Sequence, residues 1–431
     1  MMMASNALVW PNTQTAVSSH VQVPYKFVHL GEVNSYLNNE MDQDVDIIDA
    51  KAGNLNYHDI ANQALNEYDS VAMFVRPDNV EDANETARMI NRVSPDTDIV
   101  AYGDLTVYLP TVFQENDQLS KNFDGIAVPG DQEESIAQLF KYQEGNIDRS
   151  DITGLWFTGE EESNPNLEPV QRVSPDEWGF PDLDALPLED YKEMKEGHGG
   201  DEISFTISRG CPFGCDFCDA PKYYGAEDRR RPIDDVIEFL DEATEHTDRF
   251  KFFSPNIVLD REYVRDLSDR ISEEDLDIDW TATARVDLLD DEELIETMAD
   301  SGCFKMAMGV ETLDPNLQRN LDKEYPEEKL ERITSYMNDN EMIPKALIML
   351  GAPGENRESV KYTFDRLNDM DAVVRPTSFT PYQEMTPDMS LDEISDYDKR
   401  TFVNDREGLS EKEYFRLLYN PENYEDILDE N

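Results

Sequence analysis

Three of the four cysteines of this 431-residue chain lie in one short loop, which constrains the fold more than any other stretch. Cys211, Cys215 and Cys218 follow the apolar residues 203–208, with three and then two residues between them. Thiolate is the form of cysteine that binds soft metals, so this spacing indicates a ligand set. Three thiolates on a four-iron cluster leave one iron open, which is the favoured interpretation. Structural zinc needs a fourth ligand and a disulfide leaves an odd thiol, so both alternatives match less well.

The loop resembles the signature of the radical S-adenosylmethionine (SAM) superfamily. The aromatic Phe217 immediately before the last cysteine and the apolar strand before the loop carry this resemblance. It implies a 4Fe–4S cluster held by the three cysteines, whose open iron is chelated by the amino and carboxylate groups of SAM. It also implies that reductive cleavage of SAM gives methionine and a 5′-deoxyadenosyl radical, which abstracts a substrate hydrogen. The implied protein partner is an electron donor such as flavodoxin or ferredoxin.

The charge balance limits the possible partners. The 95 acidic and 37 basic residues give a formal net charge of −58 and a pI near 4.1. Such a surface repels phosphates, so neither nucleic acid nor an anionic membrane is expected as a partner. The acidic residues are scattered, which suits either a surface adapted to high salt or an ordinary solubilising surface. Few cysteines, with no signal peptide or long apolar run, predict a reducing cytoplasmic location.

The first half of the chain alternates between strand and helix patterns. Residues 1–25 are polar and unpatterned, and a flexible arm is expected there. Residues 26–148 alternate apolar runs, beginning with 27–30 and 45–50, with amphipathic segments. This alternation predicts an α/β fold, a doubly wound, Rossmann-like domain with a parallel sheet whose ligands bind beyond the carboxyl ends of the strands. A proline-rich, acidic connector is expected over 149–200.

This first half also resembles the cobalamin-binding-type domain that precedes the barrel in one radical SAM class. The candidate cobalamin-binding residues follow successive expected strands and are Asp49, Arg76, Tyr102, Gly103, Thr106 and Gly130. No Asp-x-His-x-x-Gly motif is present, so no histidine is offered as a lower cobalt ligand. A domain that binds cobalamin and a degenerate domain that only supports the barrel both remain open.

Residues 201–380 carry the strand and helix repeats of the barrel found in the resembled family. The expected strands lie near residues 203–208, 250–253, 280–284, 304–309, 345–350 and 378–379. Amphipathic helices are expected between them. The resemblance implies a partial (β/α)6 barrel with its active site at the carboxyl ends of the strands. Residues 381–431 are expected to form a C-terminal helical tail.

Residues at the ends of these strands are the candidates for contacting SAM. They are Asn256, Arg285, Glu311, Gly351 and Pro353, together with Phe217 of the cysteine loop. Arg285 and Glu311 end apolar strands, where a charge indicates either a ligand contact or a mutual salt bridge across the barrel mouth. Cys303 is expected to be a small buried hydrophobe. Tyr382 is a candidate for the substrate pocket, with ordinary packing as the alternative.

These residues and the resemblance together predict an enzyme. The leading hypothesis is cobalamin-dependent C-methylation of a small molecule, in which methylcobalamin gives its methyl group to the substrate radical. The alternative uses the radical without cobalamin, as a dehydratase, decarboxylase, epimerase or mutase in sugar or natural-product biosynthesis. A non-catalytic, radical-SAM-like partner subunit is the third possibility, and the intact cysteine triad argues against it.

Overall fold

The computed structural model describes residues 5–11, 27–41, 44–65, 67–159, 173–189, 202–215, 217–218, 220–380, 382–399 and 408–429. The chain forms two compact units. The first unit contains residues 1–200, 219–227 and 381–399, and the second contains residues 201–218, 228–380 and 400–431. The first unit therefore includes residues 219–227, which interrupt the barrel sequence, and residues 381–399, which follow it.

The first unit is built on a six-stranded sheet. Its strands are β1 Asn6–Trp10, β2 Asp46–Asp49, β3 Ser70–Phe74, β4 Asp98–Tyr102, β5 Gly125–Ala127 and β6 Leu155–Phe157. They lie in the order β2-β1-β3-β4-β5-β6, with the first five parallel and β6 antiparallel to β5. The order 2-1-3-4-5 is that of flavodoxin-like sheets, whose ligand crevice opens between β1 and β3. The predicted doubly wound domain is confirmed.

Helices cover both faces of this sheet. They are α1 Phe27–Glu40, α2 Tyr57–Gln63, α3 Val80–Val93, α4 Asp104–Tyr108, α5 Val112–Glu115, α6 Leu119–Asn122 and α7 Gln132–Gln143. On one face, α1 and α7 pack with Leu8 and Phe74, whereas α2 to α6 pack with Val9 and Met73 on the other. Neighbouring residues of a strand point to opposite faces, so these strands are buried on both sides.

Two predictions for the N-terminal region are wrong. Residues 6–10 form β1 inside the sheet instead of part of a flexible arm, because all five are buried. The run 27–30, expected as a strand, begins α1, in which Leu30, Val33 and Leu37 recur at helical spacing and face the sheet. Most of the remaining arm lies outside the described residues.

The second unit contains an open, six-stranded parallel sheet. Its strands are β7 Ile203–Thr206, β10 Arg249–Phe253, β11 Asp279–Arg285, β12 Cys303–Glu311, β13 Ile343–Leu350 and β14 Val373–Ser378. They lie in sequential order from β7 to β14. The short strands β8 Ser208–Arg209 and β9 Arg229–Arg230 form a separate antiparallel ribbon. The predicted partial (β/α)6 barrel is confirmed, although its sixth strand begins at Val373.

Helices connect the barrel strands and follow the last of them. They are α8 Ala220–Tyr224, α9 Ile233–Ala243, α10 Arg261–Glu273, α11 Glu292–Asp300, α12 Pro315–Asn320, α13 Glu327–Asp339, α14 Arg357–Asp369, α15 Leu391–Lys399, α16 Glu411–Tyr419 and α17 Tyr424–Asp429. The Phe205 ring lies 4.8 Å from that of Phe239 in α9, and Phe252 stacks on Trp280 at 4.8 Å. These aromatic side chains mark the face of the sheet that packs against helices.

Parts of the expected connector and tail join the first unit. The connector supplies β6 at the edge of the sheet, and its Val173 and Trp178 enter the core beneath α1 and α7. From the tail, α15 contributes Leu391 and Ile394 to the core on the opposite face. These segments are held by burial of apolar side chains. Their proline-rich and acidic composition gave no indication of that burial in the sequence.

The remainder of the tail packs in the second unit. The Tyr414 hydroxyl donates to Ser378 Oγ at 2.7 Å, and Phe364 of α14 stacks on Tyr424 at 5.0 Å. Thus α16 and α17 support the last barrel strand and its preceding helix. In the described ranges, every helix is too short or too polar to cross a bilayer.

Candidate active site

The cysteine loop is closed at its base by the ribbon of β8 and β9. Ser208 pairs with Arg230 and Arg209 pairs with Arg229, so the chain leaves and returns at one point. Gly210 has a φ of 90°, a conformation that favours glycine, and it directs the chain into the loop. The loop therefore starts from a fixed base at the carboxyl end of β7.

The three loop cysteines form no disulfide, with Cys211 buried and Cys215 and Cys218 partly exposed. Among the described residues, no three His, Cys, Asp or Glu side chains lie close enough to share a single metal ion. A 4Fe–4S cluster needs a wider spacing between the three sulfur atoms than a single ion does, because each thiolate binds a different iron. Burial raises the pKa of Cys211, so binding of a metal at this thiol releases a proton. The donor set fits the cluster that the motif predicts.

Arg285, at the end of β11, contacts the cysteine loop. Its Nη1 donates to Cys215 Sγ at 3.1 Å, and its guanidinium lies 3.9 Å from the centre of the Phe213 ring. Asp287 accepts hydrogen bonds from Nε and Nη2 at 2.9 and 3.2 Å. A neighbouring cation favours the thiolate form of cysteine. The alternative of a salt bridge to Glu311 is wrong, because Arg285 pairs with Asp287.

Asn256 follows β10 and lies beside Arg285. Its Oδ1 accepts the Arg285 backbone N–H at 3.1 Å, and the residue is 0% exposed. Its Nδ2 has no hydrogen-bond partner within the described part of the chain. A buried donor without a partner costs about 1–3 kcal/mol, so it marks a position where a ligand acceptor would be favourable. A carboxylate such as that of SAM fits this donor and the adjacent guanidinium.

Glu311, at the end of β12, forms a buried ion pair that the sequence analysis missed. Its Oε1 accepts from Lys323 Nζ at 2.6 Å, and the two residues are 8% and 7% exposed. Glu311 has a φ of 61°, next to an irregularity in the pairing of β12 with β13. A Cβ atom on Gly309 would collide with Lys323 Nζ, so glycine leaves room for the pair. Strained, buried charges of this kind concentrate at functional sites.

The turn after β13 meets the cysteine loop. Phe217 packs against Leu321, Met349 and Ala352, and Lys323 Nζ lies 5.7 Å from its ring centre. The Gly351 N–H donates to Glu355 Oε1 at 2.9 Å. Pro353, an exposed residue, lies in this same turn. The structure thus gathers the SAM candidates in two groups at one end of the barrel, one around Arg285 and one around Phe217.

Two further candidates have structural partners. Cys303 begins β12, where it is buried and its thiol donates to the Lys305 carbonyl at 3.7 Å. Burial raises the pKa of this thiol, as expected for a small core residue. Tyr382 stacks on Tyr108 in the first unit, with ring centres 4.1 Å apart and planes at 8°. This contact matches the packing alternative for Tyr382.

The candidate cobalamin residues lie after the strands of the first sheet, as expected. Asp49 Oδ1 accepts the backbone N–H groups of Lys51 and Ala52, both at 3.0 Å. Arg76 pairs with Asp78 at 3.0 Å and with Asp104 at 3.1 Å. Gly130 has a φ of 116°, which only glycine adopts readily. Asp49 and Arg76, at the ends of their strands, are therefore held in place by contacts with nearby residues.

Gln132 engages two of the cobalamin candidates. Its Oε1 accepts the Gly103 N–H at 2.9 Å and the Tyr223 hydroxyl at 3.0 Å. Its Nε2 donates to Thr106 Oγ1 at 2.9 Å. Gly103 and Thr106 are therefore tied into an internal network. A glutamine within an acidic helix start gave no signal of this role in the sequence.

Tyr102 offers a free group at the same edge of the sheet. It is buried, and its hydroxyl has no hydrogen-bond partner in the described ranges. Burial, with a smaller contribution from Asp49, raises the pKa of this hydroxyl. Buried polar groups normally have partners, so a ligand acceptor here would satisfy an otherwise unpaired donor. The carboxyl edge of this sheet fits a ligand through Tyr102, whereas Gly103 and Thr106 are already engaged.

Comparison with known proteins gives a family match for the barrel region and a relative that covers most of the chain. Residues 205–367 match the radical SAM superfamily. An uncharacterized methyltransferase of Pyrococcus horikoshii is 26% identical over 389 residues, which cover 87% of this chain and 80% of the relative.

Two solved structures share the fold. The radical SAM methyltransferase TsrM from Kitasatospora setae, with tryptophan substrate and a SAM analogue bound, has a TM-score of 0.69 at 18% identity, covering 88% of this chain and 74% of its own. The cobalamin-dependent enzyme OxsB, with aqua-cobalamin and SAM bound, has a TM-score of 0.70 at 16% identity. The match covers 99% of this chain and 56% of OxsB. With its cysteine loop, its parallel barrel and the match over 205–367, this part of the chain is a radical SAM domain.

Proposed function

We propose that this chain is a radical SAM enzyme that carries out cobalamin-dependent C-methylation of a small molecule. The observation that carries the proposal is the architecture, a cysteine-triad barrel preceded by a flavodoxin-like sheet in one chain. TsrM and OxsB share that architecture over 88% and 99% of this chain. The methyltransferase of Pyrococcus horikoshii supports the same reaction class by sequence.

The barrel residues have distinct tasks in this reaction. When bound, the cluster supplies the electron that cleaves SAM, and cobalamin carries the methyl group. Cys211, Cys215 and Cys218 hold the cluster, and Arg285 positions Cys215 through the 3.1 Å contact between Nη1 and Sγ. The Nδ2 of Asn256 and the guanidinium of Arg285 donate hydrogen bonds to the carboxylate of SAM.

The second group of residues shapes the opposite side of the SAM site. Glu311 is fixed by Lys323 and accepts hydrogen bonds from the amine or ribose of SAM through the oxygen that Lys323 leaves available. Phe217 and the turn at Gly351 give an apolar wall and a close backbone approach for the adenine. The electron comes from an external donor protein of the flavodoxin or ferredoxin type.

One observation favours a second candidate function, a radical SAM reaction without cobalamin. Gln132 Oε1 already accepts the Gly103 N–H, and Gln132 Nε2 donates to Thr106 Oγ1. The internal engagement of Gly103 and Thr106 suits a domain that binds no cobalamin. Dehydration, decarboxylation, epimerisation and rearrangement are the reactions open to such an enzyme.

Cobalt retention distinguishes the two functions. The anaerobically purified protein is reconstituted with iron and sulfide, incubated with hydroxocobalamin and desalted before its visible spectrum and cobalt content are measured. Stoichiometric cobalt supports methylation, whereas iron without cobalt contradicts it and favours the cobalamin-free enzyme. Tyr102→Phe removes the unpaired hydroxyl and is expected to weaken retention, while Tyr108→Phe serves as the control from the same sheet edge.

A further inference from the structure

Several cationic side chains lie on the inner face of the barrel sheet. Phe205, Phe252 and Trp280 contact one another on the face that packs against helices. Side chains alternate along a strand, so Ser204 and Lys251 point to the other face, towards the barrel interior. These two residues are register partners on neighbouring strands.

The pairing register shows which residues of the remaining strands lie on the same inner face as Ser204 and Lys251. Lys251 pairs with Thr281, and Thr281 pairs with Lys305. On β13, Lys345 pairs with Ala307, two residues beyond Lys305 on β12 and so on the same face. On β14, Arg375 pairs with Leu347, two residues beyond Lys345. The inner face therefore carries Lys251, Lys305, Lys345 and Arg375.

Two of these cations have no neutralising partner. In the described part of the chain, neither Lys345 nor Arg375 has a carboxylate within ion-pair distance or a side-chain hydrogen bond. Both residues are half-buried. The pKa of Lys345 is lowered to about 8, mainly by burial and also by the charges of Lys305 and Arg375, against a weaker opposing effect of Glu202. Lys305 and Arg375 therefore both lie close enough to Lys345 to repel its charge.

The surroundings of Lys345 and Arg375 suit an anion. The chain has 95 acidic and 37 basic residues, so carboxylates to neutralise an interior cation are abundant in the sequence, yet in the described ranges none pairs with Lys345 or Arg375. The inner face beside them carries small residues, Ser204, Thr281 and Ala307. The Ser204 hydroxyl is buried and has no hydrogen-bond partner among the described residues. Lys345, Arg375 and the Ser204 hydroxyl therefore form a set of hydrogen-bond donors on one interior face, with no acceptor among the described residues.

We propose that the substrate carries an acidic group, a phosphate, phosphonate or carboxylate, that binds Lys345 and Arg375 inside the barrel. The inference rests on the proposed function and names the substrate class of the same enzyme. Guanidinium donates to two oxygens of such a group at once, and ammonium adds a compact charge. Lys305 and Ser204 are the neighbouring donors.

The position of the anion site also limits the shape of the substrate. Lys345 and Gly351 are about 20 Å apart along β13. The inner positions between them, Leu347 and Met349, are apolar. The side chain of Lys345 and an extended substrate together span the distance from Lys345 to Gly351. The substrate therefore has an acidic end deep in the barrel and an apolar part nearer the SAM site.

Anion binding by the full-length protein tests the proposal. Inorganic phosphate, methylphosphonate and acetate are titrated at constant ionic strength in potassium chloride, and the thermal midpoint is followed. A saturable rise with phosphate or methylphosphonate identifies a phosphoryl-type group, and a rise with acetate identifies a carboxylate. Lys345→Met and Arg375→Leu are each expected to weaken the apparent affinity about tenfold or more.

Control variants separate binding at this site from general effects. Lys361→Met removes a surface cation that pairs with Asp429, and it is expected to respond like the wild type. Phosphate stabilises proteins in general by exclusion, and that part of the response is the same in every variant. Lys345→Arg keeps the charge and should retain binding even if Lys345→Met folds poorly.

Two results would overturn the inference. One is the absence of any saturable response to all three anions in the wild type, and the other is an equal response in Lys345→Met and Lys361→Met. Neither result bears on cobalt retention or SAM cleavage, since Lys345 is not among the residues assigned to those steps. Failure of the anion site and failure of the proposed reaction are therefore distinguishable.

Discussion

The guanidinium of Arg285 lies 3.1 Å from the Sγ of Cys215 and stacks on Phe213 of the same loop. Arg285 ends β11, whereas the loop follows β7 and β8, so this contact joins distant parts of the barrel sequence at the cysteine loop. Asp287 holds the guanidinium from the other side. The contact links a residue proposed for SAM binding directly to a cysteine proposed as a cluster ligand.

Arg285→Gln is expected to keep the iron content of the wild type and to slow SAM cleavage about 10–100-fold. All three thiols remain, but the positive hydrogen-bond donor to Cys215 is lost, which makes the cluster harder to reduce. Potentiometric titration followed by electron paramagnetic resonance measures the shift. Arg265→Gln, which loses only a pairing with Asp291, is the control. An unchanged potential would argue against this role for Arg285.

The buried pair of Glu311 and Lys323 predicts strong coupling between two substitutions. Lys323→Met leaves the Glu311 carboxylate buried without its partner and is expected to lower the free energy of unfolding by about 3–5 kcal/mol. The double variant Glu311→Gln with Lys323→Met is expected to recover part of that loss, because no uncompensated charge remains. Denaturant unfolding measures both. Additive losses would show that the pair is not coupled.

Gln132 is expected to be a structural centre of the first unit. Gln132→Leu leaves the Gly103 N–H without this acceptor and removes one hydrogen bond each from Tyr223 and Thr106, so we expect a loss of about 2–4 kcal/mol. Tyr223→Phe removes one of these bonds and should cost about 1 kcal/mol. Urea unfolding of the two variants gives the comparison. A loss for Gln132→Leu no larger than that for Tyr223→Phe would contradict the network.

Lys345 predicts a specific pH dependence of stability. Its pKa is about 8 in the folded chain against an ordinary value of 10.5, so between these values the unfolded chain binds more protons. The destabilising effect of the buried charge is therefore full below pH 8 and fades as the pH rises to 10.5. Lys345→Met is expected to be more stable than the wild type by about 1–3 kcal/mol at pH 7.

That advantage should shrink towards zero near pH 10, which denaturant unfolding at several pH values will show. Lys361→Met, at an exposed position, should give a difference from the wild type that does not follow this trend. A constant difference between Lys345→Met and the wild type from pH 7 to pH 10 would contradict the lowered pKa.

The sequence predicted the architecture and the cysteine loop because both depend on local patterns. Apolar runs at regular spacing gave the parallel sheets, and the C-x3-C-x2-C spacing placed the ligands within a dozen residues. The strand at Asn6–Trp10 escaped notice because a short strand buried on both faces has no alternation to distinguish it. The run at 27–30 is too short to separate the first turn of a helix from a strand.

The charges of the site could be predicted only in part. Arg285 and Glu311 were marked by their position at strand ends, but their partners Asp287 and Lys323 depend on how the following turns fold back. The inner cations were hidden because a lysine in an apolar strand gives no sign of which face it occupies. That information comes from the pairing register of neighbouring strands, which a single sequence does not contain.

Cleavage of SAM by the iron-loaded protein tests the central claim most directly. The reconstituted wild type is incubated anaerobically with SAM and a strong reductant, and 5′-deoxyadenosine and methionine are quantified beside the variants Cys211→Ala, Cys215→Ala, Cys218→Ala and Cys303→Ala. We predict product from the wild type and from Cys303→Ala, whose thiol is buried in the core, and loss of both iron and product from the three loop variants. A fully iron-loaded wild type that forms no 5′-deoxyadenosine, or a loop variant that still forms it, would contradict the account.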